Sequence, residues 1–216
     1  MQDIEELLRL PSPAPFPQSL AFDGECLWMG SRETRRLYCI DARRWTVREE
    51  VQAPGTPWGM TVVGDELRVV CGETDEDNRI IRRFVPGHGF KMHDAIPCPD
   101  DAGSQLSYDG DRLYLSQWYN KRILSLDEQG HIGTVIDLPH QIAGHVVVDG
   151  CFYVLTTEDK EKDYWLTRVD ARNGSPKIED IARIPFPGRA LAYDGEHFWT
   201  NHREAHEIVS FARPAA

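Results

Sequence analysis

The strongest constraint on this 216-residue chain is a phrase that it repeats five times. The clearest copy is residues 104–130, SQLSYDGDRLYLSQWYNKRILSLDEQG, which reads as three short strands, Gln105–Tyr108, Arg112–Gln117 and Arg122–Leu126. Asp109-Gly110 joins the first pair, a dipeptide that tolerates the positive φ of a type I′ hairpin turn. A polar loop, Trp118-Tyr119-Asn120-Lys121, joins the second pair. Matching turns stand at Asp23-Gly24, Gly64-Asp65, Asp149-Gly150 and Asp194-Gly195, so the five turn glycines are 40, 46, 40 and 45 residues apart. A fourth strand fits between successive copies, over Thr46–Val51, Lys91–Ile96, Thr134–Leu138 and Ile178–Ile184.

Four strands repeated at this period are the pattern of β-propeller blades. The chain is therefore expected to be all-β, a five-bladed propeller forming a single domain over residues 1–216. Blades are expected near 18–51, 58–96, 104–138, 143–184 and 189–211. The last copy lacks a fourth strand. Ile4–Pro11, IEELLRLP, matches Ile178–Pro185, IEDIARIP, almost position for position. Taken alone, its i, i+3, i+4 apolar spacing would suit a short helix. The repeat instead predicts an outer strand of blade 5, which closes the ring and hides sheet edges that invite aggregation.

Composition narrows the partners. Acidic residues number 35 against 24 basic ones, a net charge of −11, and basic residues cluster only in pairs such as Arg35-Arg36. That argues against nucleic acid as a partner. No apolar run approaches membrane-spanning length, and MQDIEELLRLP has neither the basic nor the apolar region of a signal peptide. A cytoplasmic protein with no membrane partner is the expectation. Five cysteines without CxxC spacing read as free thiols rather than as a disulfide framework or zinc knuckle.

Alternating strands sort the connections to two faces. The Asp-Gly turns share one face, and backbone geometry explains their residues. The other face collects the loops leading into each first strand and those joining second to third strands. The first set offers Gln18, Trp58, Asp100, Asp101, Gln105, His140, His145 and Arg189. The second offers Arg32, Glu33, Glu73, Asp75, Gln117, Trp118, Tyr119, Glu158, Asp159, His202, Arg203 and His206. Alignment on the turn glycines puts Ser19, Gly59, Gln105, His145 and Ala190 in one register at the mouth of the central channel. Divergent residues on a constant frame are what a functional face looks like.

Two chemistries fit this inventory. Imidazoles with carboxylates can hold a divalent metal ion, with His145, His202, Glu158 and Glu73 as the expected ligands. The same histidines, with Glu158 and Tyr119, can serve as acid and base while Arg189 binds an anionic group or an oxyanion. Trp58, Trp118, Gln18 and Gln105 are expected to shape the substrate pocket. HExxH, GxSxG and a P-loop are absent, and ETDEDN (Glu73–Asn78) lacks the Gly and terminal Glu of an EF-hand.

PHQIAGHVVVDGCFYVLTTE (Pro139–Glu158), TPWGMTVVGDELRVVCGE (Thr56–Glu73) and SLAFDGECLWMG (Ser19–Gly30) resemble blades of the NHL-like, gluconolactonase-type and streptogramin-lyase-type propellers. The resemblance implies a metal-assisted lyase site built from His and Glu, here His145, Glu158 and His202. The five-blade count resembles glutamine cyclotransferases, whose TQGL motif is replaced by Pro17-Gln18-Ser19-Leu20. The leading expectation is a lyase or hydrolase acting on a small-molecule substrate at the channel mouth, either assisted by a divalent metal ion or working by acid and base groups without a cofactor. A non-catalytic protein- or ligand-binding propeller is the alternative, and a glutamine-cyclising enzyme the third reading.

Overall fold

The computed structural model describes residues 1–74, 77–158, 163–172 and 174–214, and it contains five four-stranded antiparallel sheets. The first strand, β1 (Glu6–Pro11), belongs to the last blade. Blade 1 is β2 (Pro17–Phe22), β3 (Cys26–Ser31), β4 (Arg36–Asp41) and β5 (Thr46–Gln52). Blade 2 is β6 (Thr56–Val63), β7 (Glu66–Gly72), β8 (Arg79–Val85) and β9 (Gly89–Pro97). Blade 3 is β10 (Gln105–Tyr108), β11 (Leu113–Gln117), β12 (Arg122–Leu126) and β13 (Ile132–Asp137). Blade 4 is β14 (Gln141–Val148), β15 (Cys151–Thr157), β16 (Tyr164–Asp170) and β17 (Lys177–Ile184). Blade 5 is β18 (Gly188–Tyr193), β19 (His197–His202) and β20 (Glu207–Ala212), completed by β1. The architecture is a five-bladed propeller.

Apolar side chains fill the clefts between neighbouring blades. Trp28, Met60, Val69 and Phe84 pack between blades 1 and 2, and Leu155, Leu166, Phe198 and Phe211 between blades 4 and 5. Each such large side chain contributes about 1.5–3 kcal/mol when taken out of water. The inner strands meet backbone to backbone around the axis. A Cβ placed on Gly59 would lie 2.5 Å from Gln105 Cα, and one on Gly144 would lie 2.4 Å from the Ala190 carbonyl carbon. Only glycine permits that approach.

The Asp-Gly turns come in two forms, and only one follows the type I′ expectation. In blade 4, Val148 pairs with Cys151, and the two linking residues Asp149 and Gly150 both have positive φ, 52° and 72°. In blades 1, 3 and 5 the link is four residues long, with Phe22 paired to Leu27, Tyr108 to Leu113 and Tyr193 to Phe198. The aspartate side chain dictates this longer turn. Asp109 Oδ1 accepts from the Asp111 and Arg112 amides at 2.9 and 2.7 Å, while Oδ2 accepts from the Tyr114 hydroxyl at 2.8 Å. Asp23 and Asp194 repeat the arrangement with the indoles of Trp28 and Trp199, each at 2.7 Å. A carboxylate that satisfies three donors offers the backbone an alternative to the tight hairpin.

The ring closes as the repeat predicts. Residues 6–11 are extended, because β1 gains a whole ladder against β20, with Glu6 opposite Phe211 and Pro11 opposite Glu207. Just upstream, Ile4 is 7% exposed in the cleft between blades 4 and 5, and its amide donates to Arg183 O at 2.9 Å. Arg9 bonds Glu6 and Glu207, an exposed cluster that adds little by itself. Deleting residues 1–10 exposes the β20 edge and opens that cleft. The melting temperature of the truncated protein should fall by about 10 °C or more, equivalent to several kcal/mol at 2–4 °C per kcal/mol. Calorimetry showing an unchanged transition would contradict the closure.

Candidate ligand-binding cavity

Bulges in the inner strands build the site. Register shifts in β2, β6 and β14 leave Gln18, Trp58 and Ala143 unpaired at one level, on the face opposite the Asp-Gly turns. A bulge re-aims its side chain off the sheet. All three residues line one cavity of about 610 Å³. That is room for a small organic molecule. Gln105 and Ala143 lie at its inner end, Trp118, Tyr119 and Asn120 form one wall, and Asp100 and Asp101 stand on another.

The walls are cationic. Arg32, Arg79, Arg189 and Arg203 all face the cavity. The Arg79 guanidinium stacks 4.0 Å from the Trp58 ring centre, with Arg32 at 5.2 Å. Arg189 lies 4.6 Å over Trp118 and donates to the Tyr164 hydroxyl at 2.6 Å. Planar guanidinium on indole is a favourable pairing that also holds both groups in place. Asp77 locks the Trp58 unit, accepting from its indole at 2.9 Å and from Arg79 at 2.6 Å. Burial lowers the Arg79 pKa despite Asp77. Burial, and then repulsion from Arg189, lowers that of Arg203 against the pull of Glu204. Cations held this close, away from water, favour an anion among them.

Six of the residues expected at the site line this cavity: Gln18, Trp58, Gln105, Trp118, Tyr119 and Arg189. Tyr119 is at the rim, 85% exposed. Arg32 and Arg203 join from the wider inventory. Arg79 and Asp77 escaped sequence reasoning. Arg32 and Arg203 share a signal, a basic residue directly after the second strand of blades 1 and 5, whereas Arg79 opens the third strand of blade 2 and has no such marker.

The four expected metal ligands are not brought together. His145 is 1% exposed, with its ring 6.4 Å from that of Phe152. The glycine alignment had placed it one residue wrong. Gly150 is the second residue of its turn, whereas Gly64 is the first of the turn in blade 2. The channel register in blade 4 therefore falls on Gly144, and a one-residue slip sends the side chain to the opposite face. His145 takes the position that Leu20, Met60 and Leu106 hold in blades 1 to 3, a core position. His202 stacks on Phe186 at 5.1 Å and faces Glu207 at 3.7 Å, toward the closing strand. Glu73 is committed to Arg82 at 2.7 and 2.8 Å. Glu158 is exposed at the end of β15. Asp75 and Asp159 lie outside the described residues. Among the described residues no three His, Cys, Asp or Glu side chains stand where they could hold a metal ion. The donor set does not fit a metal centre at the channel mouth. His140 packs on Trp165, and His206 accepts the Phe16 amide at 3.0 Å. All five cysteines are free and buried.

A wider groove of about 970 Å³ lies between blades 2 and 3 on the side of the Asp-Gly turns. Its charges are largely spent on each other, as in Arg83 with Asp94 at 2.8 Å and His131 with Asp127 at 3.0 Å. The smaller cavity is the one where aromatic and cationic groups converge.

No family model and no curated protein sequence matches the chain. Several solved structures share its fold. The calcium-binding protein regucalcin from Agrobacterium tumefaciens superposes with a TM-score of 0.63 at 10% identity, covering 98% of this chain and 95% of that one. A catalytically inactive virginiamycin B lyase from Staphylococcus aureus, bound to quinupristin, gives 0.56 at 14%, covering 94% and 83%. Myxococcus xanthus glutaminyl cyclase gives 0.55 at 13%, covering 83% and 100%. Against hydrazine synthase of Kuenenia stuttgartiensis, the chain spans 57% of that protein's length. At these identities the likeness speaks for the fold alone. The chain is a five-bladed β-propeller, similar in fold to these structures and without a family match.

His145 gives a test of the corrected register. Neither ring nitrogen makes a hydrogen bond among the described residues, and burial pushes the pKa down to about 3 against a weaker pull from the Tyr114 backbone. In the unfolded chain the imidazole titrates near its ordinary value of about 6.5. Between these values the unfolded state binds more protons, so stability falls as pH drops from about 6.5 toward 3, by about 1.4 kcal/mol per unit. His145→Leu should raise neutral-pH stability by about 1 kcal/mol and remove this part of the acid sensitivity. Urea melts at pH 7 and pH 5 check both; a strongly destabilised variant would show that the buried imidazole makes hydrogen bonds that leucine cannot replace.

Proposed function

We propose that the protein binds a small anionic molecule with a planar part in the cavity that all five blades line. One observation carries this reading. Four guanidiniums and two indoles converge on a single cavity in a chain of net charge −11. Arg32 and Arg203 are the groups at hand for the anion, Arg79 and Arg189 hold the two indoles, and Trp58 and Trp118 offer ring faces. The partner is a small molecule, with neither nucleic acid nor membrane involved.

A second reading is that the same pocket turns its ligand over, by lyase or hydrolase chemistry. Asp101 favours it. Asp100 and Asp101 both adopt left-handed backbone, at φ 56° and 52°, which costs free energy that functional sites often tolerate. Asp100 is tied to Arg122 at 2.5 Å, while the Asp101 carboxylate has no hydrogen-bond or ion-pair partner among the described residues and faces the cavity as a candidate base. With His145 in the core, this carboxylate and the Tyr119 phenol are the groups available for proton transfer.

Calorimetric titration with benzoate tests the binding reading. Saturable binding is expected, weakened about tenfold or more by Arg203→Gln, a loss of about 1.4 kcal/mol, and weakened further by salt. Absence of binding, or binding indifferent to both Arg203→Gln and salt, would overturn it.

A further inference from the structure

The inner end of the cavity is more specific than its cationic walls. Gln18 and Gln105 are 5% and 2% exposed, and both line the cavity. A carboxamide can be turned either way, since its oxygen and nitrogen are nearly equal in size. Here the partners fix the orientation. Gln105 touches two backbone carbonyls, Gln18 O at 3.3 Å and Trp58 O at 2.9 Å. Carbonyls only accept, so the group facing them is the NH2. Gln18 touches the Arg203 guanidinium at 3.1 Å. A guanidinium only donates, so that group is the oxygen.

The opposite atoms, Gln105 Oε1 and Gln18 Nε2, make no hydrogen bond among the described residues. Neither belongs to the buried atoms that lack a partner. They therefore open onto the cavity that both residues line: one acceptor and one donor, on side chains otherwise withdrawn from solvent.

We propose, resting on the anion-binding reading above, that the ligand carries an amide or lactam edge, an N–H beside a C=O, together with its acidic group. The N–H donates to Gln105 Oε1, the C=O accepts from Gln18 Nε2, and the acidic group meets Arg203 and Arg32. A lactam within an aromatic-like ring supplies the planar part for Trp58 or Trp118. A plain aryl acid satisfies the cationic wall but leaves the two carboxamide atoms facing an apolar ring, and a site built to hydrogen-bond a ligand rejects an analogue that cannot.

Three probes separate these contributions. Orotate has the lactam edge and the carboxylate, uracil the edge alone, and benzoate the carboxylate alone. Titrated against the full chain, orotate should bind at least about tenfold more tightly than either of the others. The margin over benzoate should collapse in Gln105→Met and in Gln18→Met. The second variant guards against the first failing to fold, because among the described residues the Gln18 side chain hydrogen-bonds only Arg203. Equal binding of benzoate and orotate, or a margin that survives in folded Gln18→Met, would overturn the lactam edge and leave the anion reading standing. Uracil binding as tightly as orotate would overturn the anion reading on which this proposal rests, and no binding by either acid would overturn both.

Discussion

The structure depends on how closely five inner strands can approach one axis. Gly59 against Gln105 and Gly144 against Ala190 bring backbone onto backbone where any larger residue would push the blades apart. Hydrogen bonds then lock the approach. Ser19 Oγ donates to Pro57 O at 3.1 Å, joining blades 1 and 2, and the Gln105 amide reaches from blade 3 to carbonyls of both. The axis is plugged at this level. What would be an open channel becomes a cup, and the bulges just above the plug turn Gln18 and Trp58 into its walls.

Electrostatics follow from the same frame. The chain is strongly acidic, yet four of its arginines line one cavity. Elsewhere, pairs such as Arg36 with Glu50 and Arg83 with Glu66 lie across outer strands, where solvent weakens them. In the cup, four guanidiniums stand among three carboxylates, and those of Arg32, Arg79 and Arg189 also lie on indole faces. Guanidiniums outnumber carboxylates on its lining, so the local balance of charge is opposite in sign to that of the whole molecule.

The fold was legible because it is periodic. Five copies of one phrase outweighed the helix-like spacing of Ile4–Pro11, and the match to Ile178–Pro185 located the closing strand. Much of the cavity was legible for the same reason, since Gln18, Trp58, Gln105, Trp118 and Arg189 diverge within a constant frame. The period could not carry register. Turn length varies between two and four residues, and a single place in blade 4 separates Gly144 on the axis from His145 in the core. Arg79 was hidden for another reason: it reaches the cavity through a stack on Trp58, a contact between the first and third strands of blade 2 that no spacing encodes.

The closing pair has a consequence for biosynthesis. Glu6 is translated almost first among these residues, and its partner Phe211 almost last. Blades 1 to 4 can form as they leave the ribosome, domain-like units of local contacts, while β1 waits with its ladder unmade. During that wait the cup lacks the blade that brings Arg189 and Arg203, and the unpaired β1 segment with exposed Leu7 and Leu8 is open to other chains. The cavity and the protection of the edge are completed together, when blade 5 takes up β1.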